Sequence, residues 1–408
     1  MEIDVNTKKK ITIVANFCDY GEERTNNRFN YLAQMLVDNG YDVELVTSTF
    51  SHREKKQRSV TVDNNGYKST IIYEPSYHKN VSIKRFKSHY IWGRNVIKYL
   101  ESAEKPDLIY CAVPSIDGPL AVSRYCKKNH IPFVIDVQDL WPEAFQMVLH
   151  IPVVSSLIFL PFKWRVNKIY SSADAVVAVS ETYARRALSV NEKDKSGCVV
   201  YLGTDLSRFD ESCASAERIS DGKLRLAYCG TLGSSYDLTS VFDAMAILKN
   251  DGIENLQFVV MGSGPLQGKF EQYAKEKELD VVFTGKLPYS EMCARLASCD
   301  IAVNCISKGA AQSIINKHGD YLASGLPIIS TQECFEFRNL IDRYNCGINC
   351  DSESREQISE AIKELTSPEK RSQLGKNARR AAEEKFDRGV TYPDIVSLIK
   401  KTEQEHSS

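Results

Sequence analysis

The feature that most constrains this chain is an alternation that runs along it twice. Short, almost continuously apolar runs rich in β-branched residues alternate with longer stretches of helical period. In the first half the runs are "ITIVANF" (Ile11–Phe17), "YDVELVTST", "DLIYCAVP", "PFVIDVQDL", "DAVVAVS" and "CVVYLG". Between the first two lies "RFNYLAQMLVDNG" (Arg28–Gly40), where Phe29, Leu32, Leu36 and Val37 share one helical face and a glycine ends the pattern. A strand that is apolar on both faces must be covered on both faces. Alternation with helices supplies that cover over a parallel sheet. The reading is a doubly wound, Rossmann-like domain.

The pattern then restarts. "TDLSRFDESCASAERISDGK" (Thr204–Lys223) is polar and lacks a strong period, which predicts a linker. Beyond it come "LRLAYCG", a helix at "DLTSVFDAMAILKN", "LQFVVMGSG", a helix over about 265–278, "VVFTGK", another helix, "IAVNCIS", a short helix and "LPIIS". The fold class is α/β: two Rossmann-like doubly wound domains expected to face each other across a cleft. Their bounds are set at 1–205 and 206–389, and a C-terminal helix of about 390–408 is expected to pack back onto the first domain. The tail reads as helical from Ser354 to Glu405, broken at "FDRGVTYPD", where Gly389 and Pro393 interrupt the period.

Composition narrows the function classes. Lys plus Arg (52) nearly balance Asp plus Glu (53), so no global positive field marks a nucleic-acid binder. The 12 cysteines are scattered without a Cys-x-x-Cys pair, and several sit inside apolar runs, which reads as buried thiols in a reducing compartment. The N-terminus leads from charge directly into a strand and does not read as a signal peptide. The longest apolar stretch, Met147–Phe162, carries two prolines and a histidine and is short for a membrane span. These features predict a cytoplasmic protein.

Ligands of doubly wound sheets bind outside the C-terminal ends of the strands, so the motifs there carry the argument. "YCGTLGSSYDL" (Tyr228–Leu238) follows the first strand of the second domain and opens a helix. Gly230 and Gly233 would let backbone approach a ligand, and the helix N-terminus suits a diphosphate; a plain strand-to-helix turn explains the same residues. "VVMGSGPLQGKF" misses a dinucleotide fingerprint, since its glycines are Gly262, Gly264 and Gly268. "FTGKLPYSEM" (Phe283–Met292) is a further glycine-containing strand end whose backbone could bond a base edge. No Asp-x-Asp, metal-spaced His/Cys cluster, Gly-x-Ser-x-Gly elbow or Walker A sequence occurs. "SIINKHGDYLASGLPIIS" (Ser313–Ser330) sets Lys317 and Asp320 three residues apart on a short helix that stops at Gly325. A solvated helix face with a glycine cap is the plain alternative there. His318 reads as solvent-facing beside Lys317.

The ordered set "YCGTLG", "VVMGSGPL", "VVFTGKLP", "SCDIAVN" and "NKHGDYLASGLPIIS" resembles the nucleotide-binding half of family 4 retaining glycosyltransferases, which have the two-domain GT-B fold. "IDVQDLWPEAF", "SADAVVAVSETY" and "VVYLGTDLSRF" resemble that family's acceptor half and hinge, and "DLWPE" resembles a subgroup that assembles bacterial surface polysaccharides. The resemblance implies a donor site on Gly21, Gly230, Thr231, Gly233, Gly262, Gly264, Gly285, Lys286, Leu287, Gln312, Lys317 and Asp320. Asp320 falls where the family holds the ribose hydroxyls with a glutamate, a role a carboxylate can fill. Gln312 stands where the family has its other glutamate, a departure. Lys317 would neutralise a leaving diphosphate. Arg24 and Arg28 are candidate phosphate or acceptor contacts, or plain surface arginines. Asp139 would orient or deprotonate an acceptor hydroxyl, a capping role being the alternative. Trp141 would stack on a sugar or lipid, or pack in the core.

By the same resemblance the donor is a nucleotide-diphosphate sugar, with uridine preferred, and the acceptor a saccharide or polyprenyl-linked sugar. No cofactor and no metal are expected, and nucleic acid is excluded as a partner. The basic, aromatic segment Lys79–Leu100 resembles a helix that meets anionic membranes, predicting peripheral contact at the inner face of the plasma membrane; a solvated helix face is the alternative. Rival readings are a nucleotide-sugar epimerase of the same fold, a non-catalytic glycosyltransferase-like partner subunit, and a nicotinamide dehydrogenase, against which the glycine spacing argues.

Overall fold

The computed structural model describes residues 8–18, 27–58, 66–79, 82–143, 154–214, 216–217, 220–310 and 313–407. It divides into two compact units, Met1–Val200 with Tyr392–Ser408, and Tyr201–Thr391.

The first unit is built on β1 (Lys10–Val14), β2 (Asp42–Ser48), a small hairpin of β3 (Phe50–Ser51) and β4 (Lys56–Gln57), β5 (Lys68–Ile72), β6 (Leu108–Val113), β7 (Phe133–Val137), β8 (Ala175–Ala178) and β9 (Cys198–Val199). Seven of these form one parallel sheet in the order β5-β2-β1-β6-β7-β8-β9. Successive residues of a strand point to opposite faces, so a strand covered on both sides must be apolar throughout. Ile109 and Ile135 face a core filled by Trp92, Leu120 and Ile169 from the helices Ile83–Ser102, Asp117–Asn129 and Val154–Ser172. Leu108 and Tyr110 face the other core, with Leu32 and Leu36 from the helix Arg28–Asp38 and Ile395 and Ile399 from the C-terminal helix Pro393–Ser407.

The second unit repeats the plan with β10 (Leu224–Cys229), β11 (Leu256–Met261), β12 (Val281–Gly285), β13 (Ile301–Asn304), β14 (Ile328–Ser330) and β15 (Gly347–Asn349). The order is β12-β11-β10-β13-β14-β15, parallel throughout. Numbering runs outward in both directions from the β10/β13 pair. That pair is the topological switch point, where crossovers leave to opposite faces and open a crevice at the strand ends.

Two expectations need correction. Part of the polar linker is a helix, Leu206–Cys213, capped by Asp205 and anchored by buried Leu206 and Phe209. Two apolar anchors are too few to produce a visible period. The tail also breaks at Ser367, which caps the helix Pro368–Ala381, and then passes through a wide helical turn at Ala382–Phe386 before Asp387. The strands β5 and β15, at opposite sheet edges of the two units, were not anticipated. The cysteines of the described chain are all free, and all but Cys198 and Cys213 are buried.

Candidate functional site

The backbone of the second unit is drawn tight where β10, β11 and β12 end. Gly230 N–H donates to Met261 O at 2.9 Å, Gly262 N–H to Gly285 O at 2.9 Å, and Leu232 N–H to Ser263 O at 3.1 Å. The approach is so close that a Cβ on Gly262 would lie 1.8 Å from the Gly230 carbonyl oxygen, and Gly262 has φ +150°. Only glycine fits there. Gly264 is packed in the same way against the Leu232 backbone, whereas Gly285 faces open space and a Cβ on Gly233 would meet only the Thr231 side chain, at 3.8 Å. Thr231 and Lys286 are exposed at the rim, and Leu287 packs its side chain against the core.

Lys317 enters this crevice from the helix Asn316–Ala323. Its ammonium nitrogen is buried and has no hydrogen-bond partner among the described residues. It lies 4.2 Å from the ring centre of Tyr228 and 3.9 Å from that of Tyr236. A Cβ on Gly230 would sit 2.8 Å from it, so the missing side chain of Gly230 is the space the cation uses. Two aromatic faces attract an ammonium but do not accept its protons as an anion would. Burial therefore pushes Lys317 down to about 8, against the smaller opposing influence of Cys305 and Cys229.

Asp320, one turn on, accepts two hydrogen bonds at Oδ1, from Thr204 Oγ1 and from Tyr289 OH, each 2.9 Å. Burial raises its carboxyl above the ordinary value, opposed by those two bonds and by the charge of Arg388. The helix approaches Thr204 closely because Gly319 faces it, where a Cβ would meet Thr204 Oγ1 at 2.5 Å. His318 is not solvent-facing. It is fully buried, stacked on Phe337 with ring centres 3.5 Å apart, and its Nδ1 accepts from Ile315 N–H at 3.3 Å. The face of the helix that carries His318 packs into the core, so standing beside a lysine did not make it a surface residue. Gly21, Arg24 and Gln312 lie outside the described residues.

The first-unit candidates are engaged locally. Asp139 Oδ1 accepts from Leu140 N–H at 2.9 Å and Oδ2 from Trp141 Nε1 at 3.1 Å; burial raises its carboxyl, against these bonds. Trp141 is buried beneath the Arg85 guanidinium, 4.5 Å from its ring centre, and stacks with His89. Arg28 is not a surface arginine. It is 3% exposed, and its Nε donates to Asp136 Oδ2 at 2.7 Å and its Nη1 to the Val200 carbonyl at 3.0 Å. Beside Trp141 the structure gathers residues that the sequence did not single out: His52, whose Nδ1 lies 2.5 Å from Tyr77 OH, and Glu74, held by Asn16 and Ser88. Burial, then the charge of Arg85, pushes His52 and His89 down to about 3.

Tyr228, Tyr236, Tyr289 and Thr204 were also missed as site residues. The spacing of the two tyrosines around the glycine turn in "YCGTLGSSY" was the available signal, hidden because tyrosines at strand ends are ordinary core residues.

Known proteins give this geometry its class. Residues 25–208 match the family described as Glycosyltransferase Family 4, and residues 211–381 match Glycosyl transferases group 1. The chain has the GT-B fold and carries a Glycosyltransferase Family 4 region followed by a glycosyl transferases group 1 region. A relative from Methanocaldococcus jannaschii, described as an uncharacterized glycosyltransferase, is 25% identical over 224 residues, 54% of this chain and 56% of the relative. The chain thus matches less than two thirds of the length of such curated relatives. Sucrose-phosphate synthase from Thermosynechococcus elongatus has the same fold, with a TM-score of 0.73 at 16% identity over 97% of this chain and 99% of that one. Anabaena Alr3699/HepE, solved in complex with UDP, gives 0.69 at 14% identity over 96% and 100%.

Proposed function

We propose that this chain is a retaining glycosyltransferase that moves a sugar from a nucleotide-diphosphate sugar, UDP-linked, to a saccharide or lipid-linked acceptor in bacterial surface-polysaccharide synthesis. The observation that carries the donor assignment is the Lys317 ammonium, sealed at the β10/β13 switch point without a hydrogen-bond acceptor. A buried cation left without an anion is costly unless a ligand supplies one. The diphosphate fits that need in charge and place. Gly230 leaves the space that the ammonium uses, Gly262 and Gly264 draw the strand-end backbone tight beside it, and the ribose hydroxyls fall to the Asp320 carboxylate through Oδ2. HepE, with the same fold, holds UDP.

In the proposed reaction the acceptor oxygen bonds to the anomeric carbon on the face from which the diphosphate oxygen departs. The hydroxyl proton passes to a base, for which Asp139 is the candidate, its carboxyl raised by burial. Lys317 and backbone N–H groups neutralise the leaving diphosphate, so the reading requires no metal. The acceptor side is assigned to the first unit. Its helices Ile83–Ser102 and Val154–Ser172, joined by the Phe86–Phe162 ring contact, expose Ile83, Tyr90, Leu160 and Trp164 among Lys84, Lys87, Lys163 and Lys168. That mixture suits peripheral contact with an anionic membrane at its cytoplasmic face, checked by co-sedimentation with anionic vesicles. Among the described residues no helix is long and apolar enough to cross a membrane.

The deciding measurement is thermal stability with UDP, GDP and ADP, for the wild type and Asp320→Asn. A ligand at ~100 times its dissociation constant stabilises by about 2.7 kcal/mol. UDP is expected to raise the melting temperature and Asp320→Asn to weaken the effect. No response to any nucleoside diphosphate would move the chain to a non-catalytic partner role. Turnover of donor sugar without acceptor would indicate an epimerase.

A further inference from the structure

We propose that Tyr228 and Tyr236 form an aromatic cage that stores the Lys317 side chain in the ligand-free protein, and that binding of a nucleoside diphosphate charges that side chain by uptake of a proton. The inference rests on the donor-site reading above and adds what the cage does to it.

The cage is rigid on one side. Tyr228 is fully buried, its hydroxyl donates to the Thr231 carbonyl at 2.8 Å, and Tyr236 meets it edge-on with ring centres 5.7 Å apart. Lys317 Nζ therefore has fixed aromatic walls, and the void left by Gly230 forms its remaining boundary. Rings stabilise a cation modestly, and desolvation opposes its charge. The titratable neighbours that face it offset that balance only in part. Burial raises the Cys229 and Cys305 thiols, Cys305 to about 12, so both are neutral near pH 8. Burial lowers His318, which is neutral as well. Of the carboxylates, Asp237 caps the helix Leu238–Asn250 through Thr239 and Ser240 N–H, and Asp320 is taken up by Thr204 and Tyr289. With Lys317 titrating at about 8, a fraction of molecules in weakly alkaline solution carries it neutral. A diphosphate brought beside it restores the cation, and the proton comes from the buffer.

The test is isothermal titration of the full chain with UDP at pH 8.5, in two buffers of different ionisation enthalpy. The terminal phosphate of UDP is fully ionised at that pH, so it contributes no proton. For a lysine titrating at about 8, uptake of roughly three quarters of a proton per UDP is expected at pH 8.5 and close to none at pH 7. Lys317→Met should abolish the uptake. Tyr236→Phe keeps the ring and should keep it, whereas Tyr236→Leu admits water to the ammonium and should reduce it. A merely structural role for Tyr236 would alter stability and leave the proton count unchanged. UDP binding without proton uptake, or with uptake that persists in Lys317→Met, overturns the inference and leaves the donor site standing. Failure of UDP, GDP and ADP all to bind overturns both.

Discussion

Arg28 and Lys317 are buried cations, one in each unit, and their surroundings differ in one respect. Arg28 is answered within the chain: the Asp136 carboxylate, itself bonded by Tyr110 OH at 2.8 Å, takes its Nε, and the Val200 carbonyl and Tyr392 hydroxyl take its Nη1. Burial, the largest influence, disfavours that charge, but Asp136 together with Tyr392 and Tyr110 outweighs it and holds the guanidinium well above its ordinary value. Lys317 is given two ring faces and no acceptor, and it moves the other way. The first arrangement gives its cation an anion and serves the fold, tying the C-terminal segment at Tyr392 to β7. The second is incomplete, and incompleteness at a strand-end crevice is what a ligand site requires.

The comparison breaks most easily on paired substitutions. Arg28→Met leaves Asp136 buried without its cation and should cost about 3–5 kcal/mol in urea denaturation. Lys317→Met, measured the same way, should cost nothing or stabilise, because it removes an uncompensated charge. It should also weaken UDP binding. A large loss of stability in Lys317→Met would mean that the cage is a structural element and that the contrast is false. Next in size is Gly262→Ala. Its Cβ would collide with the Gly230 carbonyl at 1.8 Å, and its φ of +150° is strained for alanine. A loss of about 3 kcal/mol is expected, with UDP binding lost, since the crevice cannot close its own backbone.

Much of this contrast was illegible in the sequence, and the reasons are physical. The two sheets were legible because strands buried on both faces leave apolar runs that nothing else in the chain imitates. The edge strands β5 and β15 were not, because "KSTII" and "GIN" are short and only partly covered. The glycine turns and Lys317 could be placed at strand ends from order alone. That Arg28 is paired could not, since its partners Asp136, Val200 and Tyr392 lie 108, 172 and 364 residues away. The linker helix failed for want of period, and His318 was misjudged because a polar residue beside a lysine reads as surface. Tyr228 and Tyr236 become a cage only once Gly230 and the helix Asn316–Ala323 bring an ammonium between them.

A pH titration sharpens the contrast further. Lys317 titrates at about 8 in the folded chain and near its ordinary value of about 10.4 unfolded. The unfolded chain then binds more protons between those values, so stability rises with pH across that window. Nucleotide affinity should move oppositely and fall at most tenfold per pH unit above 8, about 1.4 kcal/mol, as the cation is lost. Both trends should vanish in Lys317→Met. Arg28 stays charged throughout and contributes to neither. Identical pH profiles in the wild type and Lys317→Met would show that Lys317 does not titrate in this range.

The smallest effect bears on Asp320, which stands between the two extremes because the chain answers one of its oxygens. Tyr289→Phe removes one of the two hydroxyl bonds to Oδ1. The cost to stability should be about 1 kcal/mol, the usual worth of such a bond. If the ribose uses the carboxylate through its other oxygen, UDP affinity should hold or improve, because Oδ1 then has room for a further donor. A fall in UDP affinity, at a temperature where the variant remains folded, would mean that the Tyr289 hydroxyl belongs to the ligand site itself. Asp320 would then resemble Arg28, a group that the fold has already satisfied, and the sugar edge would have to be sought elsewhere in the crevice.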